Sequence, residues 1–506
     1  MYFKDLLKIT DPLKVCGDTE IEIQGLHYDS RQVRPGGLFF ALRGSNADGH
    51  HYIETAIKAG AAAIVAEDDS AIATGTPYAK VTNARIAMSM MAALFYGCPT
   101  DKLTLIGITG TNGKTTTSYL IEAILEEAGI SAAVLGTVSY RFREKALPAL
   151  HTTPESIDLQ KILREMSGLG AQGVVMEVSS HALEQHRVDG CRFDVGIFTN
   201  LTRDHLDYHR DMESYLASKK RLFSELLFKD EVKPRRQAVV NIDDPYGRQI
   251  SEEAVCPVIS YGLDSAAQVS AREIQFSVTG ITGMLLTPKG EAPFRSRMPG
   301  RFNLYNILAA AAAGVALDLP LAAISSGIEH HKTVPGRLEP VENKREIALF
   351  VDYAHTDDAL GNVLRTLSEV ATGRIITLFG CGGDRDRGKR PLMGKVAGRY
   401  SALAIVTSDN PRTENPALIM ADIRSGIQSL GIREYAVAEL SASFTEKGYV
   451  LVESRREAIR LAVRIAGPGD IVLIAGKGHE DYQIIGTERF HFDDREEAQA
   501  ALKGDE

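Results

Sequence analysis

From Leu103 onward the chain repeats one pattern: a short apolar run, then a stretch of helical length. "LTLIGIT", "GVVMEVS", "DVGIFTN" and "QAVVNID" are the first four runs. Near-continuous apolar runs, rather than alternating ones, belong to strands covered on both faces, which means a parallel sheet between helix layers. After "KTVPGRLEPV", with Pro335 and Gly336, the alternation resumes in "IALFVDYA", "RIITLFG", "LAIVTSD" and "DIVLIAG", so a second doubly wound domain is expected. The segment before Leu103 has strand-like "GGLFFAL" and "AAAIVAE", a helical "YIETAIKAG" and a turn-rich close at "YGCPTDK". At 506 residues the chain exceeds what one core can organise. The expected fold class is α/β in three domains: a small α/β domain over 1–98, a central domain with a mostly parallel sheet over 99–335, and a Rossmann-like domain over 336–506.

A net charge of −9, with both signs mixed along the chain, excludes a nucleic-acid partner held by phosphate neutralisation. The five cysteines (Cys16, Cys98, Cys191, Cys256 and Cys381) are scattered, odd in number and not in metal-ligand spacing. They fit a reducing cytosol rather than a disulfide framework or a zinc site. "MYFKDLLKIT" lacks the basic and apolar regions of a signal peptide, and the most apolar window, "LAAAAAGVALDLPLAAI", is interrupted by Asp318 and Pro320. A cytoplasmic protein without a membrane partner is expected.

"GITGTNGKTTT" follows one predicted strand and opens a predicted helix. Glycines there let backbone N–H groups close on phosphate oxygens at a helix N-terminus, Lys114 would neutralise phosphates, and Thr115 would hold Mg²⁺. The usual spacing is not met, since Ile108 stands five before Gly113, with glycines instead at Gly107 and Gly110. An ordinary glycine turn leaves the Lys-Thr-Thr at the helix start unexplained. Glu177, ending "VVMEV", and His205, in "NLTRDHLDYH", could complete a cation sphere at the same sheet edge. The alternatives are a helix-terminal charge and a satisfied loop histidine. Asn303 and Asn306 stand at i and i+3 in "GRFNLYNILAA", suited either to a base or sugar contact or to capping.

The loop "TGTNGKTT", the strand end "EVSSHAL", the loop "NLTRDHLDYH", the helix "GRFNLYNILAA" and the stretch "VDYAHT" occur in the order and spacing of the Mur ligases. The chain resembles that family over essentially its whole length, and in the family "GTNGKT" is the normal loop. The resemblance implies a UDP-binding domain, an ATPase domain and a C-terminal domain that brings an amino acid. It also implies an ATP-dependent amide ligase of peptidoglycan precursor synthesis, working through an acyl phosphate as a monomer. By the same resemblance Gly110, Thr111, Asn112, Gly113, Lys114, Thr115 and Thr116 contact ATP, Asn303 its adenine, and Arg337 and Asp352 reach it, with His355 beside them. Thr115, Glu177 and His205 serve Mg²⁺. "SYLASKKRLF" reads on its own as a solvated basic helix face; the family pattern places Tyr215 and Lys219 there, with Lys219 carbamylated and anionic.

For the implied substrate UDP-MurNAc-L-Ala-D-Glu, "HYDSRQVRPGGLFFALRG" supplies Ser30, "HTTPES" supplies Thr152 and Thr153, and "SSHALEQHR" supplies Ser179, Gln185 and Arg187. Turn formation is the alternative for Ser30 and Thr152. "VTSDNPRTENP" is over-furnished for a turn: Asp409, Asn410 and Pro411 shape one, but Arg412 has no part in it. A forked guanidinium binds the extra carboxylate of meso-diaminopimelate bidentately and repels the ammonium of L-lysine. Arg412 matches the family's diaminopimelate signature, as do Arg385, Gly476 and Glu480, although "DRDRGKR" around Arg385 could equally be a solvated charge run. A lysine-adding ligase, a folylpolyglutamate synthetase and a non-ligating ATPase switch are the competing functions. The first is disfavoured by Arg412, the second by the N-terminal segment, and the third by Lys219, Arg385 and the Arg412 loop taken together.

Overall fold

Each of the eight apolar runs from Leu103 onward forms a strand paired in parallel, within sheets that also carry antiparallel strands at their edges. The computed structural model describes residues 1–44, 47–69, 75–149, 151–202, 208–228, 230–331 and 333–504. They form two compact units: 1–270 with 285–292 and 306–327, and 271–284 with 293–305 and 328–506.

The first unit holds an eight-stranded sheet in the order Val258–Tyr261, Gln237–Asn241, Val195–Phe198, Thr104–Thr109, Gly173–Glu177, Ala132–Leu135, Ser139–Phe142 and Lys145–Pro148. The Thr104–Thr109 strand is central and buried after its first residue, as a strand sandwiched between helices must be. Register matters for function here. Glu177 pairs with Ile108 and Phe198 with Thr109, both in parallel, so the segments leaving three neighbouring strands emerge at one sheet edge. A separate five-stranded sheet, Lys14–Cys16, Tyr78–Lys80, Ala61–Ala66, Gly37–Phe40 and Gly25–His27, packs around Phe3, Leu38, Phe40 and Met91.

The second unit carries a seven-stranded sheet, ordered Glu339–Pro340, Ala348–Asp352, Ile471–Ala475, Ile375–Phe379, Leu403–Val406, Gly448–Leu451 and Arg433–Glu434. Asp352 pairs with Ala475 and Phe379 with Val406, so the chain after these strands again gathers at one carboxyl edge. Sequence reasoning did not single out the Gly448–Leu451 strand or the two-stranded ribbon Tyr482–Ile485 with Glu488–His491. Among the described residues no helix is long and apolar enough to cross a membrane.

One charged pair lies inside this second core. Arg455, at the head of helix Arg455–Ile465, donates from Nε and Nη2 to Asp494 at 2.7 and 2.6 Å, and both side chains are 0% exposed. Nη2 also donates to Ala475 O at 3.0 Å, which ties the helix start to the sheet edge. Removing one partner leaves the other charge buried without compensation. Arg455→Met is expected to lower the unfolding free energy by about 3–5 kcal/mol, measured by urea titration; a loss under about 1 kcal/mol would show that the pair behaves like a surface one.

Candidate active site

The loop after the central strand is shaped by two glycines. Gly110 has φ +145°, and a Cβ there would stand 1.9 Å from Thr199 Oγ1; Gly113 has φ +88°, and its Cβ would stand 2.3 Å from Asn306 Oδ1. Positive φ without room for a side chain admits glycine alone. The segment leaving the adjacent strand pins the loop. Thr111 N donates to Asn200 O at 2.8 Å, Asn112 N to Asn200 Oδ1 at 2.9 Å, and Thr199 Oγ1 to Asn112 O at 2.7 Å. Helix Lys114–Glu127 starts directly behind, so its N-terminus and its dipole face the loop. Lys114 Nζ folds back to Gly110 O at 2.9 Å and Thr111 O at 2.8 Å, and Thr115 and Thr116 follow it, buried.

A second lysine reaches the same carbonyl. Lys219, on helix Met212–Arg221, is 1% exposed and donates from Nζ to Gly110 O at 2.9 Å, above the ring of Tyr215 at 4.4 Å. The Tyr215 hydroxyl meets Thr111 Oγ1 at 3.2 Å. The solvated-face reading therefore fails for Lys219. It suits Lys220, which pairs with Glu253 at 2.6 Å.

Glu177 is buried at its strand end, where its carboxylate accepts from Thr137 N at 3.1 Å and Thr137 Oγ1 at 3.0 Å. It is not the helix-terminal charge that its position suggested: Ser179 caps helix Ser180–Glu184. Thr137 Oγ1 also meets Thr152 Oγ1 at 3.1 Å, and Thr153 Oγ1 donates to Glu177 O at 2.9 Å and accepts from Ser179 N at 3.1 Å. Arg187 donates to Thr153 O at 2.9 Å and Gln185 Oε1 at 2.8 Å, and pairs with Glu155 at 3.0 Å. The structure thus brings Glu177, Thr152, Thr153, Ser179, Gln185 and Arg187 into one cluster. Ser30 is buried at the head of the short helix Ser30–Gln32, and His205 lies outside the described residues. Sequence reasoning missed Thr137, which stands in no motif, and gave no role to Asn200, although it opens the stretch "NLTRDHLDYH".

A buried carboxylate and a hydroxyl are the hard oxygen donors that Mg²⁺ takes, so Glu177 and Thr115 fit such an ion. An ammonium at Lys219 does not fit it, whereas the carbamate of that lysine would. Among the described residues no group of three or more His, Cys, Asp and Glu could hold a metal without such help.

In the second unit, Asn303 is buried and donates to Pro299 O at 2.8 Å. Arg337 stacks on Tyr353 at 4.9 Å, and Asp352 accepts from Leu338 N at 2.7 Å and Ala354 N at 2.8 Å. Burial raises the Asp352 carboxyl above its ordinary range against the pull of Arg337. His355 Nδ1 meets Tyr353 O at 2.9 Å.

The Asp409–Arg412 stretch is built as a fixed loop. Arg412 has φ +52°, an uncommon conformation for a side-chain-bearing residue and one that stores strain. It is held there by bonds from Arg412 N to Ile484 O at 3.1 Å and from Gly486 N to Arg412 O at 2.8 Å. Its Nη1 donates to Gly383 O at 2.8 Å. Gly476 lies beside Asp409, where a Cβ would stand 3.1 Å from Oδ2, and Asn410 Nδ2 donates to Glu480 Oε2 at 3.0 Å. Burial works against ionisation of Asp409, but Lys477 and Arg455 outweigh it and hold its carboxyl below the usual range. Burial, with Asp409 nearby, pushes Glu480 up. Arg385 is exposed, and its Nη1 donates to Asp384 O at 3.3 Å. The charge run around it is not all solvated, because Arg390 is 1% exposed and forks onto Glu414, whose carboxyl it holds at about 2.

A glycine loop between a central strand and a helix start is the arrangement of nucleotide-binding α/β proteins. The comparisons with known proteins specify the family. The Mur ligase family catalytic domain matches residues 22–96, the Mur ligase middle domain 108–314, and the Mur ligase glutamate ligase domain 336–478. The chain belongs to the Mur ligase family. It is 63% identical over 503 residues to the UDP-N-acetylmuramoyl-L-alanyl-D-glutamate–2,6-diaminopimelate ligase of Geobacter metallireducens, covering 99% of this chain and 98% of that protein. The ligase of the same description from Geobacter sulfurreducens is also 63% identical, covering 99% of both chains. A solved structure of such a ligase superposes with a TM-score of 0.72 at 32% identity, covering 100% of this chain and 99% of that one. A MurF structure from Acinetobacter baumannii, at 19% identity and a TM-score of 0.62 over 100% and 98% of the chains, shares the fold.

Gly113→Ala is expected to weaken nucleotide binding about tenfold or more, because it forces a Cβ into left-handed backbone against Asn306. Calorimetric titration with ADP checks this, and unchanged affinity would mean that the loop does not cradle phosphate.

Proposed function

We propose that this chain joins meso-2,6-diaminopimelate to UDP-MurNAc-L-Ala-D-Glu with hydrolysis of ATP to ADP and phosphate, a step of peptidoglycan precursor synthesis in the cytoplasm. The observation that carries the reading is the Asp409–Arg412 loop. A guanidinium sits in a fixed left-handed position on the same loop as the Asp409 carboxylate, which with Glu480 makes an acidic pair. With Asp409 already paired to Lys477, Arg412 and Glu480 offer one cation and one carboxyl group, which suit the zwitterionic far end of diaminopimelate, whereas L-lysine offers no carboxylate there. Near-full-length identity to two diaminopimelate ligases supports the same choice.

The free carboxylate of D-Glu is a poor electrophile, so it is activated first. The loop N–H groups, Lys114 and Thr116 bind the ATP phosphates and hold the γ-phosphorus in line with the carboxylate oxygen. That oxygen attacks phosphorus, ADP leaves, and an acyl phosphate forms. The amine of diaminopimelate then attacks the acyl carbon, loses a proton and expels phosphate. Thr115, Glu177, His205 and carbamylated Lys219 would hold Mg²⁺, which would supply charge neutralisation on the phosphates. Thr152, Thr153, Ser179, Gln185 and Arg187 orient the UDP-MurNAc-dipeptide with Ser30; Asn303, Arg337 and Asp352 contact ATP; Arg385, Gly476 and Glu480 complete the amine site. Domain limits of 1–98, 99–335 and 336–506 each enclose one of the three family matches, which supports that division. A monomer suffices for this chemistry.

Phosphate release with UDP-MurNAc-L-Ala-D-Glu and ATP is expected with meso-diaminopimelate and not with L-lysine. Arg412→Ala should weaken the amine by about 2–5 kcal/mol. Turnover with lysine, or an unmoved KM for diaminopimelate in that variant, would overturn the assignment. Lys219→Ala should lose turnover and regain part of it with added short-chain carboxylic acids that replace the carbamate; absence of rescue argues that Lys219 acts as an ammonium.

A further inference from the structure

Lys477 lies in "GKGHE", between two residues that the proposed function uses, yet that function gives it no task. It is 0% exposed. Its Nζ donates to Asn410 Oδ1 at 3.0 Å and to Tyr482 O at 2.6 Å, and stands 3.2 Å from Asp409 Oδ1. A lysine brings donors and no acceptor, so the Asn410 atom facing it must be the amide oxygen. Ile484 N donates to that oxygen as well, at 2.9 Å. The amide is thereby locked in one orientation, with its NH₂ directed at Glu480 Oε2, 3.0 Å away.

The ribbon Tyr482–Ile485 with Glu488–His491 completes the arrangement. Gln483 Nε2 donates to Asp409 O at 2.6 Å, and Arg412 forms a parallel bridge with Ile485. Through the Tyr482 carbonyl, Lys477 therefore holds the ribbon that holds Arg412. An apolar side chain in its place would fill the volume while leaving the Asn410 oxygen with Ile484 N alone and the buried Asp409 charge without its nearest cation.

We infer that Lys477 is a specificity-positioning residue: a buried cation that fixes the Asn410 amide, and with it Glu480 and the Arg412 loop, in the arrangement that receives the far end of the amine substrate. The inference rests on the proposed diaminopimelate reading and deepens it. Lys477 does not touch the substrate. Its role is to set which way the recognising groups point.

The test is steady-state kinetics of full-length Lys477→Met and Lys477→Gln, with Arg412→Ala as the control and the thermal midpoint of each variant recorded. Losing one charged hydrogen bond from the recognition loop is expected to raise the KM for meso-diaminopimelate about 10- to 100-fold. The KM for ATP should stay within about twofold, and the preference for diaminopimelate over L-lysine should narrow. If the KM values for both substrates rise together, or if neither Lys477 variant folds, the lysine supports the unit as a whole and the inference is overturned. If Arg412→Ala raises the KM for diaminopimelate and the folded Lys477 variants do not, the inference alone fails. If Arg412→Ala leaves that KM unmoved, it is the underlying assignment that fails.

Discussion

The first unit depends on the space around Gly110. The carbonyl of this residue accepts from Lys114, in the same loop, and from Lys219, on a distant helix, while its α-carbon lies against Thr199. A Cβ at this position would collide with Thr199 and Asn200, so the close approach of the loop to the neighbouring segment needs glycine. The parallel register makes that approach possible, because it delivers Gly110, Glu177 and Thr199 to one edge. The helix N-terminus and the Lys114 ammonium face the same loop, which is the arrangement that favours a phosphate there.

The second unit solves a different problem with the same architecture. It keeps Arg455, Lys477 and Arg390 buried, and each is met by carboxylates or carbonyls. Buried charge is costly unless it is paired. In return, paired buried charges admit few alternative arrangements. The proposed role of the Arg412 loop, telling two amines apart by one carboxylate, would draw on such rigidity, because a guanidinium free to swing would accommodate either substrate.

Much of this was legible in the chain itself. The eight apolar runs, the glycine loop and the unexplained Arg412 all have local causes: burial on both strand faces, positive backbone angles and surplus turn chemistry. The site was legible in part. Arg187, Thr153 and Ser179, each in a quoted motif, meet in the fold, yet Thr137, which holds the Glu177 carboxylate, stands in no motif. Lys219 and Lys220 were separable only by family pattern, whereas in the fold one is buried and the other pairs with Glu253. The Tyr482–His491 ribbon was overlooked because each of its strands is only four residues long and mixes polar with apolar residues.

The sequence by itself determined the strand-helix order, the parallel sheets and the position of the phosphate loop, because apolar periodicity and glycine placement report local burial and backbone angle. Tertiary structure alone decided which polar side chains meet. Lys477 with Asn410, Thr137 with Glu177, and Lys219 with Gly110 are contacts between segments far apart in the chain. A hydrogen bond of this kind needs two groups within about 3 Å, and that distance is set by the register and packing of whole elements rather than by either residue's neighbours.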